Sequence, residues 1–165
     1  KDMSAVLKAP EQAGLDAVRE GALFSYNMFA YLDGPFLQKA ADFINAGNDP
    51  KKLKDSGIKP DLTKRGAVRS VYDGRYVYAR YFSPKQHNRP ETLEEIRAYN
   101  DVELYDTQTD PYEMDNLASR NPELLLAMNA KLNRLIDVEV GEDRGQMLPG
   151  GIEAGWEVSA ETMAP

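Results

Sequence analysis

Cysteine is absent from the chain, and histidine occurs once, at His87. The first absence excludes disulfides, thiolate catalysis and cysteine-based zinc sites. The second excludes a zinc site built from several histidines, and any histidine-dependent triad would have to use His87 itself. No apolar run approaches the length of a membrane-spanning helix, and no signal peptide is visible. The chain opens KDMSAVLKAP with no initiator methionine, which reads as a fragment or a processed product. GxxxxGKS/T, GxGxxG and GxSxG are all missing, and the stretch LPGGIEAG lacks the spacing of a phosphate-binding loop.

What is present is acidic. The net charge is -7 over 165 residues, and lysine and arginine lie mostly in the first two thirds. No basic stripe with interleaved aromatics stands out, so no nucleic-acid partner is indicated. The length suits one domain with a modest core.

Local patterning predicts a mixed fold. Residues 11–20 have helical composition, weakened by Gly14, and residues 22–32 (ALFSYNMFAYL) read as a buried strand. Residues 35–46 form an amphipathic helix with Pro35 in its first turn and Gly47-Asn48 at its end. A polar connection follows, with one helical turn around Leu53. GAVRSVYDGRYVYARYF is two alternating runs about Asp73-Gly74, the pair that a type I′ hairpin prefers. That loop sets Tyr72 opposite Arg75 and Val71 opposite Tyr76. One hairpin face carries Val68, Ser70, Val77 and Ala79, small enough to lie beneath a helix. The other carries Arg69, Val71, Tyr76, Tyr78 and Arg80, and is read as sheet surface rather than a ligand platform. A short helix is expected over 92–99, then a strand with Val102 and Leu104 on one side and Glu103 and Tyr105 on the other. Asn121 caps the longest helix, whose apolar stripe runs through Leu124, Leu125, Met128, Leu132, Leu135 and Ile136 to a stop at Gly141. Beyond it the sequence is Gly-rich, with Trp156 as its one large anchor.

Residues 100–118 (NDVELYDTQTDPYEMDNLA) hold six carboxylates and no lysine or arginine. A calcium loop of the EF-hand type needs glycine at its sixth position and glutamate at its twelfth. Counting from Asp106 gives Pro111 and Leu117, and counting from Asp101 gives Asp106 and Tyr112. Both registers fail. Turn-forming roles fit better: Asp106 closes a strand, Asp110-Pro111 starts a turn, and Asp115-Asn116 accepts bonds from nearby amides.

In their order, these motifs resemble the C-terminal subdomain of sulfatases. Family members carry an A-V-R-like strand, a K/R-Y return and then E-L-Y-D-L-x-x-D-P-x-E-x-x-N-L-A. Ala67, Val68 and Arg69 fit the strand, and Arg75-Tyr76 the return. Glu103, Leu104, Tyr105, Asp106, Asp110, Pro111, Glu113, Asn116, Leu117 and Ala118 match position by position, with Thr107 replacing leucine. KDMSAVL is similar to the segment that closes the sulfatase catalytic half. The resemblance implies an α+β fold: a small antiparallel sheet of about four strands with the long C-terminal helix packed on one face. It divides the chain into a junction segment (1–64), the subdomain proper (65–141) and an irregular tail (142–165).

Sulfatases of the arylsulfatase type hydrolyse sulfate esters in a large domain related to alkaline phosphatase. Their nucleophile is a formylglycine made within a C/S-x-P-x-R motif, beside a calcium ion. This chain has no such motif: Ser83-Pro84 lacks the spacing and the arginine, and Asp115-Asn116 only imitates a metal-binding pair. The resemblance therefore implies no catalytic residue, cofactor or metal ligand here. Formylglycine and calcium are expected in the parent enzyme, and the expected partners are its catalytic half and, through it, a sulfate ester. His87 and Asn88, at the far end of the hairpin, are the residues expected to reach the rim of the substrate pocket. Otherwise His87 is an ordinary loop residue. The compartment stays open between periplasm and cytoplasm of a bacterium. Two other readings remain: a stand-alone binding or assembly module of the same fold, and the C-terminal part of a phosphonate or phosphate ester hydrolase.

Overall fold

A computed structural model describes residues 2–14, 16–27, 33–86 and 89–142. Four strands form one antiparallel sheet in sequence order: β1 (Ala22–Asn27), β2 (Ala67–Tyr72), β3 (Tyr76–Phe82) and β4 (Asn100–Asp106). The described helices are α1 (Ser4–Lys8), α2 (Gly34–Asn45), α3 (Leu93–Tyr99) and α4 (Pro122–Glu139), with short 3-10 turns at Pro10–Gln12 and Pro50–Asp55. The fold is α+β, with the long C-terminal helix laid across one face of a four-stranded sheet.

Residues 11–20 do not form the expected helix. Pro10 and Gly14 interrupt the segment, and the helix lies upstream at Ser4–Lys8, where Asp2 Oδ1 accepts the Ser4 amide at 2.8 Å. The strand expected over 22–32 is found at Ala22–Asn27, as an edge strand of this sheet that is mostly exposed rather than buried. Its remaining positions, 28–32, fall outside the described residues. Gly21 leads into β1 so close to β2 that an added Cβ would lie 2.7 Å from the Tyr72 carbonyl oxygen.

The hairpin register differs from the expected one by two residues. Tyr72 pairs with Val77 and Val71 with Tyr78, leaving a loop longer than Asp73-Gly74. Asp73 explains the difference. Its Oδ1 accepts the amides of Arg75 (3.1 Å) and Tyr76 (2.8 Å), and its own amide donates to the Tyr76 carbonyl at 3.2 Å. A type I′ turn needs positive φ at both central residues, and here Gly74 has it (φ 98) while Asp73 does not. The other Asp73 oxygen takes Lys131 Nζ at 2.6 Å, so the hairpin loop is tied to α4. A two-residue shift preserves the faces, because side chains alternate with period two.

The helix nevertheless covers the face opposite to the one expected. Val71, Tyr78 and Leu104 lie fully buried under Leu125, Met128, Leu132, Leu135 and Ile136 of α4, with Ile96 of α3 beside them. The small-residue face of Val68, Ser70, Val77 and Ala79 lies on the other side. On that side Val68 and Ala79 are buried, whereas Phe24, Tyr26 and Tyr72 are 56%, 50% and 44% exposed. Long side chains win the helix because the polar tips of Tyr78 and Arg80 find partners on α4.

Helix ends follow the expected chemistry. Asn121 accepts the Leu124 amide, Thr92 and Glu95 form a reciprocal capping box, and Gly141 stops α4 with φ 117. Asp33 caps α2 through the Phe36 amide at 3.2 Å. The same buried carboxylate accepts the Asp61 amide at 2.6 Å and Lys64 Nζ at 2.7 Å. It therefore locks α2 to the approach of β2. These bonds, led by the Asp61 amide, hold the Asp33 carboxyl down at about 2.

Candidate functional site

The acidic run wraps the end of β4, and its carboxylates face protein partners. Asp106 receives Arg75 through Nε at 3.1 Å and Nη2 at 2.7 Å, and accepts the Gln108 amide at 3.1 Å. The Arg75 guanidinium holds the Asp106 carboxyl below the ordinary carboxylate range. Asp110 accepts the Asp115 amide at 2.7 Å, in a loop where Glu113 adopts a positive φ of 54. Asn116 Oδ1 accepts the amides of Leu104 (3.1 Å) and Ala118 (3.0 Å), and its Nδ2 donates to the Val102 carbonyl at 3.1 Å. Asp101 pairs with Arg65, and Asp115 with Arg120. Among the described residues, no three acidic or histidine side chains converge on one point. Those residues do not fit the calcium ion that the sulfatase resemblance implies for the family.

A second polar cluster lies under α4. Arg80 is fully buried, and its Nη1 donates to Asn129 Oδ1 at 2.9 Å and Asn133 Oδ1 at 2.8 Å. Tyr78 Oη also donates to Asn129 Oδ1, at 3.1 Å. Both asparagines then turn their Nδ2 groups onto the Pro90 carbonyl, at 2.7 and 2.9 Å. Asn129 and Asn133 stand one helical turn apart, so a single carbonyl can take both amides. The cluster thereby clamps the end of the β3–α3 connection to the sheet and to α4.

The start of that connection is held as well. Buried Ser83 donates through Oγ to the Leu62 carbonyl at 2.8 Å and accepts the Lys85 amide at 3.1 Å. At the far end Arg89 Nη2 donates to Asp137 at 2.6 Å. His87 and Asn88, the residues expected at a substrate-pocket rim, lie between these anchors and fall outside the described residues.

Tyr81 and Glu103 point to the open side of the sheet, where the tyrosine hydroxyl donates to Glu103 at 3.0 Å. Burial, and then that bond, push Tyr81 up to about 12. Burial also raises Tyr78. Both phenols are protonated at neutral pH, so they act as hydrogen-bond donors and not as bases. The described residues thus build anchors, turns and a loop clamp.

Sequence reasoning placed the acidic run at turns and missed the cluster under α4. The signal for it was two asparagines four residues apart within the apolar stripe of α4, facing an arginine at an alternating position of β3. A comparison with protein-family models gives no match, and a comparison with curated proteins gives none.

Proposed function

We propose that this chain is the non-catalytic C-terminal part of a sulfatase, whose catalytic half hydrolyses sulfate esters. The observation that supports this reading is the coherence of the matched residues. Leu104 and Ala118 are buried in the core. Asp106 grips Arg75 of the hairpin return, and Asn116 binds the backbone on either side of Glu103. A motif whose members perform connected structural tasks is a marker of this fold. The fold then carries the family reading through resemblance.

Among the described residues, the exposed rings on the sheet face opposite α4 favour a piece of a larger enzyme over a stand-alone module. Phe24, Tyr26 and Tyr72 cost free energy in water, and an independent module would cover such a face. In the proposed arrangement the catalytic half covers it. Formylglycine and calcium belong to that half, and this chain supports it and helps to shape the substrate entrance through the β3–α3 connection. A phosphonate or phosphate ester hydrolase would use the same support; only charge and shape around the nucleophile separate those substrates.

Two measurements test the reading. The isolated chain, supplied with calcium, is expected not to hydrolyse an aryl sulfate, whereas the parent enzyme does. Placing Asp at Phe24 and Tyr72 (Phe24→Asp with Tyr72→Asp) is expected to leave the isolated chain folded and to lower the yield of active parent enzyme. Turnover by the isolated chain, or full activity of the doubly substituted parent, overturns it.

A further inference from the structure

The two edges of the sheet are finished differently. At β4 the chain closes its own edge. The Leu117 amide donates to the Leu104 carbonyl at 2.8 Å, while Asn116 accepts the Leu104 amide and donates to the Val102 carbonyl, each at 3.1 Å. At β1 nothing comparable is found among the described residues, where the strand pairs with β2 alone.

Edge strands commonly carry a device against the addition of another strand, such as a lysine, a proline or a bulge. β1 has none of the three. Its residues, ALFSYN, include no charge and no proline, and they pair with β2 in unbroken register from Ala22–Tyr72 to Asn27–Ala67. All but Leu23 are exposed. The last charged residue before the strand, Glu20, is held by Arg134 at 2.7 Å. No charged residue then follows in the sequence until Asp33.

Charge and shape point to the occupant. Each chain carries a net charge of -7, so two copies repel one another in general and meet most readily where no carboxylate stands. We infer that β1 pairs antiparallel with the β1 of a second copy, joining two four-stranded sheets about a two-fold axis. Alternation selects the register. Opposed residues must lie on the same side of the joined sheet, so the axis passes through a residue and not between two. An axis at Ser25 sets each Phe24 opposite the partner's Tyr26, and each Leu23 opposite the partner's Asn27. An axis at Phe24 would leave Tyr26 opposite only the partner's Ala22. Phe24 and Tyr26 stack within one chain, with centroids 6.4 Å apart and planes 19° from parallel. The Ser25 register therefore builds one cluster of four rings, and opposed aromatic pairs stabilise antiparallel strands. The pairing uses an edge of the sheet and not a face, and it does not rest on the sulfatase reading.

The test uses the full chain, whose mass in solution is read by sedimentation. The wild-type chain is expected to show twice the mass of one chain and to dissociate on dilution. Ser25→Lys sets two ammonium groups against each other at the axis and is expected to return the mass to that of one chain. Ser25→Thr keeps the strand uncharged and is expected to keep the dimer. Because the chain has no cysteine, Ser25→Cys places a single thiol at the proposed axis. Under mild oxidation it is expected to link two chains about tenfold faster, or more, than Ser119→Cys, an exposed thiol on the loop after β4. A wild-type chain of single mass at every concentration overturns the inference. So does a dimer that Ser25→Lys leaves intact, or one in which Ser25→Cys links no faster than Ser119→Cys, because its contact then lies elsewhere.

Discussion

Asn129 and Asn133 occupy positions on α4 where a leucine would extend the apolar stripe, yet both are almost fully buried. Each amide accepts from Arg80 and donates to the Pro90 carbonyl, so four hydrogen bonds depend on two side chains. Removing one partner from such a set leaves a buried cation and a buried carbonyl short of bonds. Asn129→Leu is therefore expected to destabilise the fold by about 2–4 kcal/mol, read as a lower urea midpoint with an unchanged slope. Each partner was visible in the sequence as a residue type, but only the packed register shows that they meet. His87 and Asn88 stand apart: their expected place at the substrate rim rests on their sequence position at the far end of the hairpin, and they fall outside the described residues. In the parent enzyme His87→Ala and Asn88→Ala are expected to change kcat/KM for at least one sulfate ester. An unchanged value for every ester tested removes that role.

At the level of elements, α2, α3, α4 and β4 were legible because caps and periodicity agree with tertiary packing. The hairpin was legible in its strands and faces but not in its register. Asp73 looked like half of a two-residue turn, whereas its carboxylate serves two loop amides and Lys131 of α4. A side chain with a partner 58 residues away is not readable from its neighbours. The choice of helix-bearing face failed for a related reason: size suggested the small-residue side, and polar satisfaction chose the other. Asp33 joins α2 to β2 in the same way and has a consequence for pH. Its folded value of about 2 lies below the unfolded 3.8, so the unfolded chain binds the proton first. The stabilisation is thus present above 3.8 and is lost as pH falls through about 2. Protection of the first-turn amides of α2, relative to their intrinsic exchange at each pH, is expected to fall as pH drops across that window, and Asp33→Asn to remove the pH dependence. A flat profile in the wild-type chain contradicts the lock.

For the whole molecule, the two sides of the sheet differ in how they meet water. One lies beneath α4 and α3, while Phe24, Tyr26 and Tyr72 stand exposed on the other. Composition could not reveal this asymmetry, because alternating strands look alike until a helix chooses a side. The acidic run changed its meaning at this scale as well. Its carboxylates brace loops and arginines, and the motif they belong to carries the resemblance to sulfatases. The measurement that bears most directly on the central claim is the intact mass of the protein isolated from its natural source. The proposal expects one chain far heavier than these 165 residues account for, with a C/S-x-P-x-R segment among its peptides. A native protein of this length alone would contradict it.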